Sequence, residues 1–171
     1  MNIPTWITIA RLLGIPVILW GLALATPQGR WIALLAFGVA ALTDWLDGYL
    51  ARRWQQETEL GKFLDPLVDK LLVLAPLLSL VELGQVPAWG VFLLLARELT
   101  IAGWRVQQTQ IAGANLWGKA KTTLQMVAIG LLILEWTGGL LMFWLAVALT
   151  LISGLIYLLP PPRYPALRDP L

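Results

Sequence analysis

D-W-L-D-G-Y-L-A-R-R-W-Q-Q-E-T-E-L-G-K-F-L-D-P-L-V-D, residues Asp44 to Asp69, sets four aspartates into a sequence otherwise built for lipid. Asp44 and Asp47 are three residues apart, and Asp65 and Asp69 four apart, so each pair lies on one face if both flanks are helical. A linker containing Gly48, Arg52, Arg53, Gly61 and Lys62 is expected to fold the helices back and bring the pairs together. Four facing carboxylates repel one another unless a cation lies between them. Hard divalent ions such as magnesium take oxygen ligands, and two of them held by carboxylates serve phosphoryl chemistry.

The chain around this stretch has 171 residues, 58% of them hydrophobic and 13% charged, with ten Trp. Its mean hydropathy of +0.75 lies far from that of a soluble globular domain. The expected class is an all-α integral membrane protein, with the Trp residues suited to interfacial belts. The absence of Cys and His excludes thiolate catalysis, His general bases, phosphohistidine and Cys/His zinc sites. A net charge of +2 without a basic cluster gives no nucleic-acid partner.

Outward from the aspartates, apolar runs and turn residues mark six expected spans. Residues 1 to 30 read as a short interfacial helix followed by a first span in the run Leu12 to Ala25. Ala23-Leu24-Ala25 has the small residues of a signal-peptidase site, but only Arg11 supplies charge ahead of it, which argues against cleavage. Further spans are expected at Trp31 to Trp54, Phe63 to Leu83, Ala88 to Gln108 and Thr122 to Trp136, with a sixth after Gly138-Gly139 that ends at Pro160. Gly113 to Lys121 reads as a polar connection. Residues 1–162 form one catalytic membrane domain in this reading, and 163–171 a polar tail.

Six spans place both termini on one side. Arg52, Arg53, Lys62, Arg105, Lys119, Lys121, Arg163 and Arg168 fall on that side, against Arg30, Glu82 and Glu135 on the other. The positive-inside rule then turns the aspartates toward the cytoplasm. Near a membrane face a carboxylate costs less than the roughly 2.5 to 3.5 kcal/mol it costs at a helix centre. Salt bridges to Arg52, Arg53, Lys62 and Lys70 are the plain alternative for one such Asp; four at paired helical spacing point to a site. Within it, Asp69 is placed to take a proton from an attacking hydroxyl. Gly48 and Ala51 are small enough for a nucleotide to approach, and Arg52 suits bidentate pairing with phosphate.

Asp44, Asp47, Gly48, Ala51, Arg52, Gly61, Asp65 and Asp69 fit, without gap or substitution, the pattern D-x2-D-G-x2-A-R-x8-G-x3-D-x3-D. In this the chain resembles the CDP-alcohol phosphatidyltransferases. The resemblance implies a six-span homodimeric membrane enzyme with two magnesium or manganese ions held by the four aspartates. It implies that Asp44 bridges both ions and that Asp69 doubles as proton acceptor. It also implies CDP-lipid contacts at Gly48, Arg52 and Thr58, and, outside the signature, at Ile3, Pro4, Thr5 and Trp6.

N-I-P-T-W-I-T-I-A-R at the start, A-R-E-L at Ala96 to Leu99 and G-K-A-K-T-T-L-Q-M at Gly118 to Met126 are similar to the branch of the family that joins CDP-diacylglycerol to glycerol 3-phosphate. Arg97, Arg105, Lys119 and Lys121 gather at one end of the fourth and fifth spans, as a dianionic acceptor requires. Topology anchoring is the alternative for the lysines, and an ion pair with Glu98 for Arg97. Other acceptors within the family, giving cardiolipin, phosphatidylserine or phosphatidylinositol phosphate, are the nearest rivals. A small cation transporter or a non-catalytic scaffold lies outside it; a transporter would carry charges at mid-bilayer, often in repeated halves, and no repeat is present here.

Overall fold

A computed structural model of the chain describes residues 3–54, 59–107 and 116–158, with side chains described at 8–43, 66–103 and 121–155. These residues form α1 (Ile3–Ala23), α2 (Pro27–Trp54), α3 (Glu59–Glu82), α4 (Ala88–Gln107), α5 (Leu116–Ile133) and α6 (Gly139–Leu158), with no strand among them. The fold is all-α, as expected.

Tight turns join the helices at one end of the bundle. After α1, Ala25 takes a left-handed φ of 50°, and Thr26 caps α2 by accepting the Gly29 N–H at 3.1 Å, with Pro27 in the first helical position. Gly84 ends α3 at φ 71°, with the Gln85 N–H reaching the Leu80 carbonyl and the Gly84 N–H reaching Val81. The same closure ends α5, where Trp136 N–H meets the Leu131 carbonyl, but the left-handed position holds Glu135 at φ 55°. A side chain with a Cβ is costly there. Glu135 is held by Arg30 Nη2, which donates to its Oε1 at 2.6 Å, and by Gln85 Nε2, which donates to the same oxygen at 2.9 Å. Arg30 Nη1 also donates to the Ile133 carbonyl at 3.0 Å. One carboxylate therefore ties together the start of α2, the α3–α4 turn and the end of α5.

α1 packs on α2 and α3, α5 on α6, α2 and α3, and α4 on α6 and α3. Gly21 and Gly29 let α1 and α2 approach closely: a Cβ on Gly21 would sit 2.7 Å from the Gly29 carbonyl oxygen. Ile18, Leu22, Leu72, Leu77, Leu80, Ile129, Ile133 and Phe143 fill the core between them. Among the described residues no helix is long and apolar enough to cross a membrane. The described side chains cover only part of each helix.

Three expected boundaries are corrected. The opening residues do not make a separate interfacial helix but the first turns of α1, because nothing between Trp6 and Leu12 breaks the helix and Pro4 stands in the first turn, where its missing N–H is harmless. Gly48, Arg52 and Arg53, expected in the linker after Asp47, continue α2, and Gly61 and Lys62 already belong to α3. Leu116 to Lys121, expected in a polar connection, begin α5. Lysine stems tolerate a helix end well, and the turn at Glu135 ends α5 short of Trp136. The tail, 163–171, lies outside the described residues.

Candidate active site

Asp47 lies seven residues before the end of α2 and Asp65 six after the start of α3, while Asp44 and Asp69 are each ten from those ends. Residues 55–58 separate the two helices in sequence, and both α2 and α3 pack on α1. At a rise of about 1.5 Å per residue, the four positions fall on two levels, about 10 and 15 Å from the connection. Each pair keeps its three- or four-residue spacing within an unbroken helix. The side chains of Asp44, Asp47, Asp65 and Arg52 lie outside the described ones, as do those of Ile3, Pro4, Thr5 and Trp6 in the first turn of α1. Gly48 and Ala51 stand in the last two turns of α2, and Thr58 lies outside the described residues.

Asp69 is described, and one partner of its carboxylate comes from α1. Arg11 Nη1 donates to Asp69 Oδ1 at 2.9 Å, across 58 residues of sequence. The Arg11 side chain is 2% exposed and that of Asp69 45%, so the cation is sealed in while the carboxylate is partly exposed. Arg11 also lines a cavity of about 410 Å³ between α1 and α2, with Val17, Leu35, Val39 and Thr43 among its walls. Thr43, the residue before Asp44, donates its hydroxyl back to the Val39 and Ala40 carbonyls, both at 2.9 Å. Arg11 thus joins α1 to Asp69 on α3, and its side chain borders the same cavity as Thr43 of α2. Sequence reasoning passed over Arg11. The signal was there: an arginine inside an apolar run, three residues after Thr8, and both are buried.

Arg97 and Lys121 meet at Glu98. Arg97 Nη1 donates to Glu98 Oε1 at 3.1 Å, and Lys121 Nζ donates to the same oxygen. The remaining Arg97 donors turn to α6, Nε to the Thr150 carbonyl at 3.1 Å and Nη2 to Ser153 Oγ at 3.0 Å. The ion-pair alternative for Arg97 is thus the geometry found, and Lys121 is also engaged by protein. The side chains of Arg105 and Lys119 lie outside the described ones. Gly154 makes room for this arrangement: a Cβ there would lie 3.1 Å from both Cγ and Nε of Arg97. Gly154→Val is expected to displace Arg97 from its α6 partners and lower stability by about 1 to 3 kcal/mol. Gly38→Ala, which meets nothing within 4 Å, should be neutral or stabilising by up to about 1 kcal/mol. Thermal unfolding of the purified variants, followed by Trp fluorescence, checks both.

This site stands in a chain whose residues 1–152 match the family model described as CDP-alcohol phosphatidyltransferase. The chain belongs to the CDP-alcohol phosphatidyltransferase family. Among family members, it is similar to a protein of Escherichia coli K12 named CDP-diacylglycerol--glycerol-3-phosphate 3-phosphatidyltransferase, at 40% identity over 92% of this chain and 93% of the relative. Proteins of the same name from Bacillus subtilis 168 and Haemophilus influenzae are 37% and 36% identical, covering 91% and 92% of this chain and 93% and 91% of their own.

The CDP-alcohol phosphatidyltransferase family generally depends on divalent metal. Among the described residues no group of three or more metal-ligating side chains occurs. The donor chemistry nevertheless fits a hard cation: the half-open Asp69 carboxylate is an oxygen donor, and the other three candidates on the two helices are aspartates as well.

Proposed function

We propose that the chain transfers the phosphatidyl group of CDP-diacylglycerol to glycerol 3-phosphate, giving phosphatidylglycerophosphate and CMP. The observation that carries this reading is the uninterrupted signature on α2 and α3, in a chain 36–40% identical over about nine-tenths of its length to proteins named for that transfer. Arg52 pairs with the donor's diphosphate, and Gly48 and Ala51 leave space beside it. Thr58 and the segment Ile3, Pro4, Thr5 and Trp6 make further CDP-lipid contacts. Asp69 takes the proton of the acceptor's primary hydroxyl, whose oxygen bonds to the lipid-linked phosphorus as the anhydride bond to CMP breaks. Two magnesium or manganese ions held by Asp44, Asp47, Asp65 and Asp69 would neutralise the diphosphate and the departing CMP.

Arg105, Lys119 and Lys121 form the basic edge that receives the acceptor's phosphate. Arg97, assigned to the same edge from sequence, works behind it in this proposal: it holds Glu98, which in turn positions Lys121.

The same proposal places the helices in a membrane, the cell's inner one, with the aspartates at its cytoplasmic face. Complete helices of 18 to 28 residues correspond to about 27 to 42 Å, against a hydrocarbon core of about 30 Å. Their outward sides carry Leu13, Leu35, Phe92, Leu141 and Leu155, each more than 60% exposed, which in water would be an aggregation liability. A single catalytic domain over residues 1–162 and a homodimer, the latter implied by the family resemblance, belong to this reading.

The test is release of CMP by the purified chain from CDP-diacylglycerol in mixed micelles, with glycerol 3-phosphate, serine, inositol phosphate or phosphatidylglycerol as acceptor. Turnover is expected with glycerol 3-phosphate and magnesium at least about a hundredfold above serine and phosphatidylglycerol, which bring no phosphate dianion to the basic edge, and above inositol phosphate, which offers a ring hydroxyl in place of a primary one. Preference for another acceptor reassigns the chain within the family, and absence of CMP with every acceptor overturns the reading.

A further inference from the structure

We propose that Lys70 is a further ligand of the acceptor's phosphate, its ammonium donating to a phosphate oxygen. The inference rests on the reading of glycerol 3-phosphate as acceptor. Five cationic side chains are described, those of Arg11, Arg30, Lys70, Arg97 and Lys121. Arg11 is paired with Asp69, Arg30 with Glu135, and Arg97 and Lys121 with Glu98. Lys70 is partly buried, yet it alone of the five makes no hydrogen bond or ion pair among the described residues.

Position 70 is a costly place for an unanswered charge. It lies eleven residues after the start of α3, about 16 Å along the helix, and the residues that follow it, Leu71 to Ala75, are apolar. A leucine there would pack without electrostatic cost, so an ammonium in its place calls for an anion. Glu98 does not fill that role. It lies within electrostatic reach of Lys70, where α3 packs on α4, but its Oε1 already accepts from both Arg97 Nη1 and Lys121 Nζ. One carboxylate therefore faces cations from α3, α4 and α5, and Lys70 is the one it does not bond. A phosphate dianion seated there takes a charge-assisted hydrogen bond from Lys70 without breaking either Glu98 pair.

The location also suits the shape of the acceptor, which carries its reacting hydroxyl and its phosphate at opposite ends of a three-carbon chain. Lys70 directly follows Asp69, the residue read as meeting that hydroxyl, and consecutive residues project about 100° apart around a helix. Asp69 meets Arg11 of α1, whereas Lys70 lies toward α4, where Glu98 holds Lys121 of the basic edge. Lys70 thus joins the signature helix to the side chains that await the phosphate.

The test uses the full-length protein in lipid nanodiscs, with Lys70→Met, Lys70→Gln and Lys70→Arg compared for kcat, KM for glycerol 3-phosphate, Kd for CDP-diacylglycerol and thermal midpoint. Lys70→Met and Lys70→Gln are expected to raise KM at least about tenfold, the loss of one charge-assisted hydrogen bond, with kcat and Kd within about threefold. Lys70→Arg, which keeps a cation that pairs with phosphate, should recover KM by at least about threefold. A KM within about threefold of the unchanged protein in both neutral variants overturns the role of Lys70 alone. Weaker binding of CDP-diacylglycerol with KM unmoved overturns it too, and gives Lys70 to the donor's diphosphate. Collapse of the midpoint in all three variants likewise overturns it, and makes Lys70 a structural cation. Failure of the unchanged protein to use glycerol 3-phosphate, beside turnover of another acceptor, instead removes the reading on which the inference stands.

Discussion

Asp69→Asn is expected to bind CDP-diacylglycerol while turning over roughly a thousandfold more slowly, the loss associated with removing a positioned general base. The amide matches the carboxylate in size and keeps an oxygen for the Arg11 guanidinium, so α1 and α3 stay joined. What disappears is the negative charge and the ability to accept the acceptor's proton. The buried Arg11 loses the charge of one partner, which lowers stability, so rates should be compared well below the unfolding midpoint. Asp44→Asn is the informative contrast. If Asp44 bridges both ions, its replacement weakens metal and donor-lipid binding together with turnover, whereas Asp69→Asn weakens binding less. Equilibrium binding of labelled CDP-diacylglycerol beside single-turnover CMP release separates the two, and Asp69→Asn at near-normal rate would show that the base lies elsewhere.

Chelation of divalent metal should abolish turnover, a loss of at least about a thousandfold given the several kcal/mol a metal supplies to phosphoryl transfer. Magnesium or manganese is expected to restore it. Calcium, larger and content with irregular coordination, should restore much less. Stability should respond even without a reaction: if the four aspartates converge, their carboxylates repel one another in the absence of cations. The thermal midpoint of the chelated protein should then fall and recover on adding magnesium. Undiminished CMP release in chelator would mean that the aspartates hold no ion, and an unchanged midpoint would mean that they do not converge.

The elements of the fold were legible because each signal in the chain is local. Apolar runs located the six helices, and Gly84 and the Gly138-Gly139 pair marked turns that the structure contains. The boundaries that slipped all lie near charge or small residues. Gly48 and Gly61 suggested a linker, yet a glycine inside a long helix costs only about 1 kcal/mol and both helices absorb it. The aspartate pairs were readable from spacing alone, and the helices that carry them run unbroken through each pair. Arg11 was not readable as a partner of Asp69, since no pattern in sequence joins residues 58 apart on different helices. For Arg97 the neighbouring Glu98 did signal an ion pair, but Thr150 and Ser153 on α6 could be found only once the helices were packed.

Glu135, in its left-handed position, has a mechanical consequence for the whole bundle. Its links to Arg30 and Gln85 pin three chain segments at the end remote from the aspartates. Rods fastened together at one end swing most at the other. Sideways entry of a two-tailed molecule therefore meets least resistance where its headgroup is to be handled, and a break in the remote fastening would loosen the mouth from a distance.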